Sequence, residues 1–320
     1  MSLPAPIYKT RYGWEWVVVN DLWWLTKNYA TDKLDDGSDL PEVTDFETWK
    51  TLTTPARCWY NNTSDSEFRS NYGMLVNKYA VDEGLMLPCG NSRVAIFNEA
   101  VQLRTYLIEN GYNWDGTLEG NKAAKSIASS GGQWDNTSTA GHVGNDQGSN
   151  NSSGINLFPS GLRAITVDFV NLSIGCWLWL KDDGSGINND GFLSIRRNEA
   201  GISFTINGTK SQGYAVRLVI TAREVTFETN GGTAIDDAFW FDDDTIEAPE
   251  PPTKEGYIFD GWYSDEALTT PWDFATDTVD ADTTLYAGWV ERKRRGFVKN
   301  RFVSTFSNSN SQVFNTGGFR

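Results

Sequence analysis

The chain offers few groups for covalent chemistry. His142 is its one histidine, and Cys58, Cys89 and Cys176 are its three cysteines. A histidine acting as general base needs a nucleophile and an orienting acid within reach. No G-x-S-x-G pattern frames a serine here, so His142, set in a Gly/Ser/Asn-rich stretch, reads as an exposed loop histidine. A single histidine excludes a zinc site with several His ligands, and three dispersed cysteines without C-x-x-C exclude a disulfide scaffold. The cysteines read as small buried hydrophobes, with a Cys58–Cys176 bridge left open. Asp242–Asp243–Asp244, and Asp182–Asp183 with Asn188–Asn189–Asp190, carry oxygen ligands of the kind Ca²⁺ takes. Neither follows the calcium-loop spacing, and solvated acidic loops are the simpler reading. No catalytic residue, metal or cofactor is expected.

Binding chemistry is better represented. The 320 residues include 14 Trp, 12 Tyr and 17 Phe. Such side chains pack β-rich and mixed cores, and they also build sugar-binding and protein-binding faces. Lys and Arg number 27 against 42 Asp and Glu, a net charge of −15. That balance argues against nucleic acid as the main partner, since phosphate binding needs positive charge. No run of apolar residues is long enough to span a membrane. Met1 to Thr10 has neither a basic start nor an apolar stretch, so it is not a secretory signal. Either the chain is used without Sec export or a leader lies outside this sequence.

The charge divides the chain. Residues 1–222 carry 18 basic and 24 acidic side chains, residues 223–290 carry two and 17, and residues 291–320 carry seven and one. Three charge characters predict two domains, 1–222 and 223–290, and a basic Ser/Asn-rich tail, 291–320. In the first, Trp14–Asn20 predicts a strand, as do Ala164–Val170, Ile174–Leu180, Phe192–Arg196, Ile202–Ile206 and Tyr214–Ile220. A helix capped by Asn91–Ser92 and ended by Gly111 is expected through about Asn110, and a second short helix over Asn121–Ser129. The stretch 130–156 reads as a long loop, functional or mobile. The fold class expected is α+β.

Six blocks then resemble one family in order: Gly13–Trp14 through Asn28; Cys58–Trp59–Tyr60–Asn61–Asn62 with Tyr72–Gly73–Met74–Leu75; Gly84–Leu85–Met86–Leu87–Pro88; Gly154–Arg163; Cys176–Trp177–Leu178–Trp179; and Gly213–Leu218. They are similar to the Fibrobacter succinogenes major paralogous domain, which implies a C-type-lectin-like fold over about 11–220. Val225–Thr233, Pro251–Phe274 and Asp282–Trp289 resemble the Listeria–Bacteroides (internalin B-type) repeat. That likeness implies a small β-grasp-like domain of bacterial surface proteins.

The lectin-like resemblance implies a ligand face in the late loops and strands, about Trp177–Ser211. Trp177, Trp179, Lys181, Asp182, Asn188, Asn189, Arg196, Arg197 and Asn198 supply stacking, hydrogen bonds and charge there, for a glycan or protein on a bacterial surface. Trp177 and Trp179 alternate with Leu178 and Leu180, and a core role competes with ligand contact. In the tail, Arg292, Lys293, Arg294, Arg295, Phe297, Phe302, Phe306 and Phe314 are candidates for docking to an acidic protein surface, the chain's own 223–290 domain or other proteins of an assembly. The expected function is non-enzymatic binding or adhesion. Without an export signal, a bacteriophage virion component, fibre or capsid decoration, is the first reading. A bacterial surface adhesin is the second, and an enzyme on a lectin-like scaffold the third. A homo-oligomer stays open.

Overall fold

The computed structural model describes residues 3–85, 87, 91–184 and 190–293. The strands of the first segment are β1 (Tyr8–Arg11), β2 (Trp14–Val19), β3 (Leu22–Leu25), β4 (Arg57–Cys58), β5 (Leu75–Val76), β6 (Arg93–Val94), β7 (Ser160–Arg163), β8 (Phe169–Leu172), β9 (Gly175–Trp179), β10 (Phe192–Arg196) and β11 (Ser203–Thr205). The helices are α1 (Phe46–Trp49), α2 (Ser66–Tyr72), α3 (Lys78–Glu83), α4 (Phe97–Glu109) and α5 (Ala124–Ile127). There follow β12 (Leu218–Glu228), β13 (Ala238–Phe241), β14 (Asp244–Thr245), β15 (Tyr257–Tyr263), β16 (Thr278–Val279) and β17 (Thr283–Glu291).

The α+β class, with its C-type-lectin-like and β-grasp-like domains, is corrected by this inventory. Among the described residues strands far outnumber helices, only α4 exceeds seven residues, and 223–290 holds no helix. The chain is β-rich. Helix is scarce because the β-branched and aromatic runs are many and short, and the stretches between them are rich in Gly, Asn and Asp. Such residues take the left-handed conformations that turns require. Tyr12–Gly13 and Asn20–Asp21, all at positive φ, close the β1–β2 and β2–β3 hairpins in two residues each.

β3 is buried along its length. It lies inside the larger sheet, whose order is β1-β2-β3-β12-β17-β15, with β6 and β13 also on β12. A second sheet has the order β11-β10-β9-β7-β8. β12 is the longest strand, and the boundary expected near Thr221–Glu224 falls inside it. Its first half runs antiparallel to β3, with Val219 opposite Trp24. Its second half runs parallel to β17, with Val225 opposite Thr283. One uninterrupted strand, changing partners along its length, therefore serves both charge segments.

The predicted helix starts later than expected. Arg93–Val94 pairs with β12 instead, because the backbone entering the helix is claimed by the sheet. α4 begins where Glu99 turns back to accept from the Ile96 N–H at 3.0 Å, and it ends at Asn110 and Gly111, the latter at φ 80°. Phe97, Ala100, Leu103 and Leu107 form its buried face. Ala164–Val170 is not one strand either: β7 ends at Arg163 and β8 starts at Phe169. The long loop 130–156 is well packed. Trp134 is buried and donates to the Ser129 hydroxyl at 3.1 Å, and Asn150 Nδ2 donates to two buried carbonyls.

Gly73 shows why one family block needs its glycine. Its φ is 70°, and a Cβ there would lie 2.5 Å from the Asn28 Cβ. Any larger residue would break the contact between the end of α2 and the segment after β3.

Candidate functional site

Trp177 and Trp179 do not form an exposed platform. They are 5% and 0% exposed. β9 is an inner strand between β10 and β7, and all five of its residues are buried. The Trp179 indole donates to the Val76 carbonyl at 3.0 Å and packs 4.4 Å from the Tyr214 ring. Both tryptophans are therefore core, because both faces of the strand are covered.

The remaining predicted residues fall into two groups. Arg196 is opposite Gly175, and Phe192 is opposite Trp179. Arg196, Arg197 and Asn198 thus lie at one end of the β9–β10 pair, and Lys181 and Asp182 at the other, about 20 Å away along a strand rising roughly 3.3 Å per residue. Arg196 is exposed and pairs with Glu199 at 3.3 Å; Arg197 reaches the Asn136 carbonyl at 3.3 Å. Asn188 and Asn189 lie outside the described residues, as do Cys89, Arg294, Arg295, Phe297, Phe302, Phe306 and Phe314. Arg292 and Lys293 are exposed.

At the Asp182 end, Lys78, Asp82, Asp182, Asp190 and Lys210 line a polar cleft of about 350 Å³. Lys78 is buried and pairs with Asp82; Lys210 reaches Asp82 at 3.0 Å and Asp190 at 3.4 Å. Its hydrogen bond to Asp82 raises the Lys210 pKa. These charges largely answer one another. In the repeat segment, Asp242 pairs with Arg223 at 2.5 Å and Asp244 with Arg11 at 3.4 Å. No cluster of three metal-ligating side chains forms among the described residues.

The two described cysteines are separate buried thiols. Burial pushes Cys58 up to about 12 and Cys176 up to about 11, so neither supplies a thiolate near neutral pH. His142 is half-buried rather than exposed; its backbone N–H bonds Thr139.

A wider opening lies elsewhere, along α4. Glu99, Gln102, Tyr106 and Glu109 recur at spacings of three and four, which places them on one face of the helix. With Asn20 and Asp21 of the β2–β3 turn they line a cleft of about 510 Å³. Tyr106 and Glu109 also wall a more apolar groove of about 560 Å³, closed by Leu3, Pro4, Tyr112 and Leu118. The two openings adjoin along the helix. The Tyr106 and Tyr112 rings are 6.4 Å apart. Burial, then the neighbouring Tyr106, raises the Tyr112 pKa, so its phenol stays a protonated donor. Glu99 is fixed by Arg93 through bonds of 2.8 and 2.5 Å.

The trough combines an aromatic wall with carboxylate and amide groups, the composition that holds a polyol or glycan: apolar C–H faces on the ring, hydroxyls on the oxygens. Sequence reading missed it. The 99–102–106–109 spacing was visible, but its partners come from the first 22 residues and from 110–118, and nothing local joins them.

Residues 17–219 match the Fibrobacter succinogenes major domain and residues 224–288 the Listeria-Bacteroides repeat domain. The chain is 46% identical over 89 residues to a protein of Evansella cellulosilytica named as a Gly-rich membrane protein, covering 28% of this chain and 10% of that one. It is 47% identical over 62 residues to internalin H of Listeria monocytogenes, covering 19% of this chain and 10% of the relative. The chain thus spans about a tenth of the length of these curated relatives. No helix among the described residues is long and apolar enough to cross a membrane. With more than half of its length matched, the chain belongs to the Fibrobacter succinogenes major domain family and carries a Listeria-Bacteroides repeat behind that domain.

Proposed function

We propose that this chain is a non-enzymatic binding module of a bacterial cell-surface protein, and that the α4 trough grips a glycan. The observation that carries the reading is the Tyr106 wall flanked by Gln102 and Glu109 at helical spacing. A groove of this size and make-up is the default place to look for a ligand. The carboxylates of Asp21 and Glu109 favour neutral or amino-bearing sugars and disfavour anionic ones. The repeat domain and the likeness to internalin H support display on a cell surface, in preference to the phage virion expected first.

Calorimetric titration of the full chain with neutral, amino-bearing and acidic oligosaccharides tests the ligand class. Binding of the first two, weakened about tenfold or more by Tyr106→Ala, is expected; truncating a buried aromatic contact removes on the order of 1.4 kcal/mol or more. Preference for the acidic sugars, or indifference to Tyr106→Ala, would contradict it.

A further inference from the structure

The repeat segment 223–290 holds 17 acidic and two basic side chains, whereas the residues after Glu291 hold seven basic and no acidic ones. The boundary between these opposite charges coincides with an unfinished sheet edge. β15 is an outer strand: β17 pairs along one side of it. On its other side the far end is engaged, where Trp272 N–H donates to the Trp262 carbonyl at 2.8 Å and Tyr263 bridges Pro271, and at the near end the Tyr257 N–H is taken by the Lys254 carbonyl at 3.1 Å. From Tyr257 to Gly261 no second ladder partner occurs among the described residues.

That free stretch is also apolar. Ile258 and Val290 are cross-strand partners, 52% and 51% exposed, and Tyr257 beside them is 38% exposed. Exposed Glu255, Asp260 and Glu291 surround them. An open apolar edge invites strand addition. A second copy's β15 is a poor occupant, because two such acidic edges repel.

We propose that residues 297–306 of this same chain dock along the open side of β15 and cover Ile258 and Val290, while Arg292–Arg295 lie over the acidic surface. In an extended segment Val298, Phe302 and Phe306 share one side, and Lys299 and Arg301 the other. Reach is sufficient. The Arg292 N–H donates to the Gly256 carbonyl at 2.8 Å, so the chain leaves the sheet beside the start of β15. Crossing that strand takes about 10 Å, and four extended residues span roughly 13 Å. The docking is independent of the glycan reading.

Hydrogen exchange of the full chain, read by mass spectrometry over 297–306, tests it. At low salt, exchange at least about tenfold slower than in a free peptide of that sequence is expected, unchanged on dilution. Ile258→Ser with Val290→Ser should abolish the protection while the β15–β17 amides of the same chain keep theirs, which separates lost docking from a lost sheet. About 1 M salt, which shortens the Debye length to roughly 3 Å, should weaken it. Free-peptide exchange in the unaltered chain, or protection indifferent to the double substitution, overturns the proposal. Protection that vanishes on dilution also overturns it, by assigning the edge to another copy's tail.

Discussion

Trp23 donates its indole N–H to the backbone carbonyl of Trp240 at 2.9 Å, across 217 residues. The bond joins the first charge segment to the second. Beside it, the Phe241 ring sits 4.7 Å from Trp23 and 6.1 Å from Trp16, inside the core of the first segment. The repeat domain is thus seated through β12 and through an aromatic inserted into its neighbour.

Phe241→Ala is expected to destabilise the chain by about 3–5 kcal/mol, the range for emptying a buried aromatic site. Denaturant unfolding followed by tryptophan fluorescence measures this. A loss below about 1 kcal/mol would mean that Phe241 does not fasten the two segments.

Lys9 crosses the same junction, its ammonium over the Trp240 ring. Burial pushes its pKa down to about 8, against the opposing pull of Glu247 and Asp244. The sign follows from proton counts. Between about 8 and the ordinary value of 10.5 the unfolded chain holds a proton that the folded chain has released. Stability therefore gains a rising contribution from Lys9 through that window. In Lys9→Met that contribution should be absent, and melting temperatures from pH 7 to 10 compare the two profiles. Identical slopes would contradict the assignment.

Trp179→Ala should unfold more readily by about 3–5 kcal/mol, since its ring and its indole N–H are both engaged in the core. Arg197→Ala, at a half-buried position, should cost less than about 1 kcal/mol. Thermal melts of the two variants give the comparison; similar stability would return Trp179 to the surface.

Cys58 and Cys176 should resist iodoacetamide at pH 8 in the folded chain and react on unfolding, because only thiolate reacts and burial holds their pKa values at about 12 and 11. Peptide mapping locates the adducts, and native labelling at either position would refute the burial.

Much of the first segment was legible from local pattern. Phe192–Arg196 is a strand with its expected bounds, and Asn110–Gly111 does end the long helix. Trp177 and Trp179 misled because alternation says only that a strand has two faces. That both are covered depends on β7, β10 and residues 213–216, which lie far off in sequence. The order of the two family segments was readable because their aromatic and glycine blocks keep their spacing. The α4 trough was not, because it is assembled from three distant stretches. Likewise, the charge step at Glu224 did not reveal that a single strand runs through it.

Binding of the fluorescently labelled full chain to bacterial cells or their surface polysaccharide, compared across two sets of substitutions, tests the central claim most directly. Tyr106→Ala with Glu109→Gln should reduce binding about tenfold or more at a temperature where circular dichroism shows the variant still folded, Tyr106 being half-buried against the core. Arg196→Ala with Arg197→Ala, at the far end of the β9–β10 pair, should leave binding intact. The reverse pattern would place the ligand on the late strands and contradict this account.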